Sequence, residues 1–408
     1  MSAADSDNPT SSLPAQPQGS VGEVFLAFLK LGLTSFGGPS AHLAYFRTEF
    51  VERRAWLDDK RFIDLVALCQ SLPGPATSQI GFVLGLGRAR WPGAFAAWAG
   101  FTLPSAILLI LFGIGLTRWQ DIASSGAVHG LKVAAVAIVA HATISMARAL
   151  CTDRVRVAAA VVAALLVLMA PSALTQLVAI GAGGAIGAAF LDIQHLHPAS
   201  HVDYGIRRRT GVILLTLFAA LLFLLPALGA ATGVTELMMV GEVFRSGALV
   251  FGGGHVVLPA LHASVVVPGW VSEEAFLAGY GAAQAVPGPM FAIGAYLGAV
   301  MHGPLGGWLG GFVMALAIFA PGLLLITGVL PFWDALLQRD AIRKAVAGAS
   351  AAVVGLLAAA LYDPLWTGAI FTLVDFLIAL AGFALLLTGR ISPLVIVIGA
   401  ALAGWAFQ

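Results

Sequence analysis

From Gly211 to Ala231 the chain reads GVILLTLFAALLFLLPALGAA, 21 residues without a charge. About 20 apolar residues are enough for a helix to cross the hydrocarbon core of a bilayer. Lipid supplies no partner for an unpaired backbone group, so an immersed run of this kind has to be helical. Similar runs follow one another along almost the whole chain. The composition agrees, with 59% of the 408 residues hydrophobic, 10% charged and a formal net charge of +1. These figures exclude a water-soluble domain. The expected fold class is an all-α polytopic membrane protein, surrounded by lipid and without a nucleic-acid partner.

Apolar runs set against polar breaks place spans near 22–45, 61–88, 92–117, 127–149, 155–170, 172–191, 211–231, 236–266, 273–301, 304–330, 342–361, 366–388 and 391–407. The total is about 13 transmembrane helices, grouped as six, one and six. Residues 1–20 are polar, rich in Ser and Pro, and lack the basic and apolar regions of a cleaved signal, so they read as a disordered tail. Cys69 and Cys151 make neither a disulfide framework nor a metal cluster.

The two groups of six look like copies of one another. KLGLTSFGG from Lys30 aligns with RSGALVFGG from Arg245, Trp56 with Trp270, Phe62 with Phe276, and Pro104 with Pro321. GLKVAAVA from Gly130 aligns with GASAAVVG from Gly348. The chain therefore divides into a first repeat over 21–191, a polar loop and linker span over 192–235, and a second repeat over 236–408. An even number of spans plus one linker brings the second copy into the membrane from the opposite side. That is the inverted repeat of secondary transporters.

Basic residues collect on cytoplasmic loops, and with the N-terminus inside most of them do so here. The exception is FRTEFVERRAWLDDKR, residues 46–61, which carries five basic residues on the outer side. Either that loop lies as an amphipathic segment at the interface, or the first span is re-entrant and the count of 13 does not hold.

Each copy interrupts a span at the same place, QSLPGP from Gln70 and QAVPGP from Gln284. Pro73, Pro75, Pro287 and Pro289 cannot donate backbone hydrogen bonds, while Gly74 and Gly288 tolerate unusual dihedrals. Such a break in hydrocarbon is costly unless it lines a protein-walled or watery cavity. Broken helices at matching places in two inverted halves point to a midplane substrate site. There, half-helix N-termini aim positive dipole ends and unpaired N–H groups at an anion. The plainer alternative is a pair of proline kinks needed only for packing. Ser71, Thr77 and Ser78 surround the first break with hydroxyls, where the second has Ala285, Phe291 and Ala292.

A second duplicated element sets Phe36, Gly37 and Gly38 ahead of His42, and Phe251, Gly252, Gly253 and Gly254 ahead of His255. Consecutive glycines let the backbone bend, approach a ligand or form an anion-binding nest. Lys30 and Arg245 lie six positions upstream, and Glu23 and Glu242 are candidates for ion coupling. A charge inside a span is costly and functional by default, although Lys30 is close enough to the tail to snorkel. His42 and His255 are candidates to relay protons or donate to an oxyanion; the alternative is a packed, hydrogen-bonded ring. His195, His197 and His201 lack the spacing of a metal site and read as a solvated loop. No catalytic residue, cofactor or metal is expected. The chain has no dinucleotide fingerprint, haem-attachment motif, iron–sulfur cysteine set or P-loop, which sets aside an enzyme or an ATP-driven pump.

In the paired FGGP/FGGGH and QSLPGP/QAVPGP elements the chain resembles the chromate ion transporter family, in its long two-domain form, over about residues 20 to 407. The resemblance implies export of chromate, a tetrahedral dianion, across the bacterial inner membrane, and with it resistance to chromate. The drive it implies is the membrane potential, a proton gradient, or both. Sulfate has the same shape and charge and is the natural competitor; another oxyanion or an anion channel are the alternatives. Protons are candidate co-substrates, and a homodimer is compatible with this arrangement. Pro39 stands where the second copy has Gly254, so the halves need not contribute equally to one site.

One charge moved through about 100 mV is worth roughly 2.3 kcal/mol, so a dianion leaving an inside-negative cell gains about 4.6 kcal/mol. That supports a gradient of over about a thousandfold without proton coupling.

Overall fold

The computed structural model describes residues 19–118, 126–192, 204–251, 254–303, 305–333 and 339–407. Nearly all of the N-terminal tail, His195, His197, His201, Gly252 and Gly253 lie outside the described residues. Helices make up most of the described chain, and no strand occurs among the described residues. Five of these helices are long and apolar enough to cross a bilayer. The linker helix, α8 (Arg208–Thr232), shows the environment most plainly: Val212, Ile213, Phe223 and Leu224 are each more than half exposed. An apolar surface of that extent is stable only against lipid or protein.

The first half runs α1 (Val21–Thr34), α2 (Gly38–Phe46), α3 (Asp59–Ser71), α4 (Ala76–Arg118), α5 (Gly126–Leu150), α6 (Arg154–Met169) and α7 (Ala173–Phe190). After α8 come α9 (Thr235–Ala248), α10 (Val257–Leu261), α11 (Glu273–Ala285), α12 (Ile293–Val300), α13 (Gly307–Val329), α14 (Asp340–Ala360), α15 (Leu373–Leu387) and α16 (Pro393–Phe407). Ala89 and Arg90 leave helical geometry inside α4, and the chain folds back there. A Cβ on Gly85 would lie 2.4 Å from the Gly93 carbonyl oxygen.

Four of the expected spans do not form continuous helices. Segments 22–45, 61–88, 236–266 and 273–301 each resolve into two helical pieces separated at the glycine or proline motif. In each case the chain returns toward its starting level. Arg54, beyond α2, lies 3.9 Å from Glu23 at the start of α1. Arg88, beyond the first part of α4, sits 5.4 Å over the ring of Trp56, which precedes α3. In the second half, Ser246 of α9 donates to Ser264 beyond α10 at 2.9 Å, and the Tyr296 hydroxyl of α12 donates to Ala275 O of α11 at 2.6 Å. The physical reason is local: Gly and Pro end the first piece, and a piece of 13 or 14 residues such as α3 or α1 reaches only about 20 Å.

The outer helices cross-pack between halves. A Cβ on Gly348 of α14 would lie 2.1 Å from Gly183 O of α7, and one on Gly130 of α5 would lie 2.1 Å from Ala400 O of α16. Small residues at these crossings bring backbones together where lipid provides no hydrophobic drive for association. Gly130 and Gly348 are aligned positions of the two copies, so each half lends its last helices to the other.

Candidate functional site

The first glycine motif makes a turn rather than a helix. Ser35 caps α1, donating its N–H to Leu31 O at 2.8 Å. Gly37 and Gly38 then take φ of 102° and 78°, a region that side chains rarely tolerate. α2 starts at once, and one turn later His42 brings Nε2 back to Ser35 O at 3.2 Å. The ring is 2% exposed and stands edge-on to Phe101, with centroids 5.4 Å apart. Nδ1 is buried and has no partner among the described residues.

The two Pro-Gly-Pro segments turn with φ of 121° at Gly74 and 100° at Gly288. Their contacts pair off across the halves. Gly74 N–H donates to Val250 O at 2.7 Å, and Gly288 N–H donates to Ser35 O at 3.0 Å. Val250 and Ser35 are the residues just before the two FGG motifs. A Cβ on Gly74 would meet Gly322 Cα at 2.8 Å, and one on Gly288 would meet Ser105 Oγ at 3.0 Å. Gly322 and Ser105 in turn follow the aligned Pro321 and Pro104. The contacts are thus reciprocal: each Pro-Gly-Pro meets the residue before the other half's glycine motif and the residue after the other half's aligned proline.

These bonds alter one expectation. Proline has no N–H, and the single glycine N–H of each Pro-Gly-Pro is already committed to a carbonyl. Donors for an anion therefore have to come from other groups.

A cavity of about 30 Å³ opens between the first glycine turn and the second Pro-Gly-Pro, room for one or two waters. Gly37, Gly38 and His42 line it from the first half, and Ala283, Gln284, Val286, Gly288 and Met290 from the second, with Pro393 at its edge. Gln284 Nε2 points to Met290 Sδ at 3.7 Å, and its side chain also hydrogen-bonds to Tyr280.

Other predicted residues lie elsewhere. Lys30 is half exposed and pairs with Glu49 at 3.0 Å, and Glu23 pairs with Arg88 at 3.2 Å. Arg245 pairs with Glu242, which also accepts from Ser264 at 3.5 Å. Gln70 is exposed on α3, while Phe36 and Pro73 are half-buried and Pro75, Pro287 and Pro289 buried. Thr77 and Ser78 are buried at the start of α4, and Ser78 Oγ has no partner among the described residues. Gly254 is buried at the start of a short turn, but the His255 side chain lies outside the described residues.

Sequence reasoning missed Gln79 and Glu49. Gln79, fully buried, donates from Nε2 to Pro73 O and to Gly322 O, both at 3.0 Å, and so ties the first break to α13. Its signal was an amide inside an apolar run. Glu49 accepts from Lys30, Arg53 and Arg54 at 3.0, 3.2 and 2.8 Å; in the sequence it was one acid among several in a charged loop.

A family model described as "Chromate transporter" matches twice, over residues 22–188 and 237–405. The chain is 28% identical to a chromate transport protein of Pseudomonas aeruginosa, covering 98% of this chain and 95% of that one. It is 29% identical to a probable chromate transport protein of Synechococcus elongatus, over 99% of each. Against a chromate transport protein of Cupriavidus metallidurans it is 27% identical, over 96% of this chain and 94% of that one. No solved structure matches.

Proposed function

This chain belongs to the chromate transporter family, and from that premise we propose that it is a secondary transporter exporting chromate from a bacterial cytoplasm. The cavity between the glycine turn of one half and the Pro-Gly-Pro of the other is its anion site. The observation that carries this reading is the reciprocal pair, Gly74 N–H to Val250 O and Gly288 N–H to Ser35 O. Each Pro-Gly-Pro holds the residue before the other half's glycine motif, which supports a reading in which the discontinuities of both halves surround one substrate site, as in an inverted repeat.

The topology consistent with this reading has four re-entrant hairpins and nine crossings. The crossings are 91–118, α5, α6, α7 and α8, then α13, α14, α15 and α16. Five crossings separate the two repeats' entry points, so the second repeat enters inverted. With the N-terminus inside, the basic loop 46–61 returns to the cytoplasmic face. All 21 Lys and Arg except Lys30, Arg118, Lys132 and Arg245 then fall on that face, as the positive-inside rule requires.

The test is uptake of labelled chromate into everted membrane vesicles, under an imposed potential and then an imposed pH gradient, with sulfate as competitor. Saturable uptake that responds to either gradient is expected. Uptake that stays linear with chromate concentration would favour an anion channel, and no uptake would end the reading.

A further inference from the structure

We infer that an anion entering the cavity beside His42 brings one proton with it, and that His42 is the residue that makes this proton obligatory. The inference rests on the reading of that cavity as the anion site.

The Ser35 carbonyl oxygen can only accept. Its contact with Nε2 at 3.2 Å therefore places the proton of neutral imidazole on Nε2. Nδ1 is left with a lone pair, buried and unpartnered among the described residues, on a ring that lines the cavity. A lone pair facing an oxyanion oxygen repels it; a hydrogen between the two atoms converts the contact into a hydrogen bond. That hydrogen can sit on Nδ1, making an imidazolium, or on an oxygen of the anion, which then donates to Nδ1. Either way the complex holds one proton more than the neutral ring and the free dianion, and water supplies it.

Among the described residues no neighbouring group removes the requirement. The ring faces the Ser35 carbonyl, Phe101 of α4, Gly37 and Gly38, and from the second half Gln284, Gly288 and Met290. None of these titrates. On its own element the next charge is Arg47, engaged by Asp59 and Glu52, and Lys30 of α1 is engaged by Glu49. The acceptor that fixes the tautomer, Ser35 O, is also the acceptor of the Gly288 N–H. The tautomer of the ring and the inter-half contact therefore depend on one carbonyl.

The experiment uses the full chain purified in detergent, titrated with chromate and separately with sulfate in weakly buffered solution between about pH 7.5 and 9. Heat and a pH indicator are read together. Uptake of about one proton per chromate bound is expected, with affinity falling about tenfold per pH unit on the alkaline side. Sulfate does not protonate in this range. Sulfate showing the same uptake puts the proton on His42, whereas chromate alone showing it puts the proton on the anion. In His42→Gln, which keeps a donor for the Ser35 carbonyl, proton uptake disappears and any binding that remains loses its pH dependence. Gln284→Ala serves as the second variant, binding more weakly while still taking up one proton per anion. Wild-type binding without proton uptake, or undiminished uptake in His42→Gln, overturns the inference while leaving the anion site standing. Absence of binding by both anions at every pH overturns the site itself and the inference with it.

Discussion

Gly74 and Gly233 both hold positive φ, 121° and 69°, but a Cβ on Gly74 would lie 2.8 Å from Gly322 Cα, whereas nothing lies within 4 Å of one on Gly233. Strain in this region costs about 1–3 kcal/mol, so Gly74→Ala adds a steric clash to a conformational cost that Gly233→Ala carries alone. Thermal unfolding in detergent should show Gly74→Ala clearly less stable than Gly233→Ala; equal midpoints would mean that the halves do not approach closely at the break. Glu49 poses a parallel question of charge. It is 5% exposed with three cations on it, and Glu49→Gln should cost about 1–3 kcal/mol, discounted because Lys30 and Arg53 remain in solvent. Glu52→Gln, removing a half-exposed partner of Arg47, should cost under about 1 kcal/mol. Near the first break, Ser78 Oγ is buried without a partner among the described residues. Thr77 and Ser78 do not line the cavity beside His42, so an unchanged apparent KM for chromate is expected in Thr77→Val with Ser78→Ala if that cavity alone holds the anion; a several-fold rise, about 1 kcal/mol, would extend the anion path to the first break.

The paired helix pieces set the testable geometry of the elements. α1 and α2 return to one level, as do α9 and α10, and the proposed inversion puts the two hairpin bases on opposite faces of the membrane. With Cys69 and Cys151 replaced by Ala, Glu52→Cys should react with an impermeant thiol reagent only in everted vesicles, and Val267→Cys only in right-side-out ones. Both positions are exposed. Reaction of both from the same face would rule out the inverted arrangement. The small-residue crossings make a second requirement at this scale. Gly348 against Gly183 and Gly130 against Ala400 leave no room for a side chain, so the outer helices of each half stay attached to the other half's α5 or α14.

For the molecule as a whole, the charge that moves with each chromate decides how steep a gradient it can hold. A bare dianion driven by about 100 mV gains about 4.6 kcal/mol and balances a gradient of over about a thousandfold. A dianion with one proton moves a single net charge, gains about 2.3 kcal/mol, and balances about fiftyfold. Vesicles clamped at that potential with no pH difference should therefore stop near the lower figure if His42 couples the proton. A steady state near the higher one would show that chromate moves unaccompanied. Arg245→Ala should lose more transport than Arg208→Ala at matched protein levels. Arg245 neutralises Glu242 inside a hairpin beside the Ser246–Ser264 pair, whereas Arg208 begins α8. Equal activities would reduce Arg245 to a structural counter-ion.

The sequence by itself determined the helical, lipid-facing character of the chain, because membrane-length apolar runs with few charges leave the backbone no other way to satisfy itself. It also determined where helices break, since proline lacks a donor and the glycines at 37, 38, 74 and 288 adopt a positive φ that residues with side chains rarely tolerate. Whether a broken segment crosses or returns was not legible: 22–45 has the length and apolarity of a span, and tertiary contacts such as Glu23–Arg54, Lys30–Glu49 and the Phe28–Phe46 ring pair bring its two pieces together. Nor did local pattern reveal that Gly74 and Gly288 spend their N–H groups on Val250 and Ser35, or that the basic Lys30 turns to Glu49 rather than to the cavity. Those outcomes depend on partners between 19 (Lys30 to Glu49) and 253 (Ser35 to Gly288) residues apart in the chain. Only packing of the two halves against each other decided which groups were left facing the cavity.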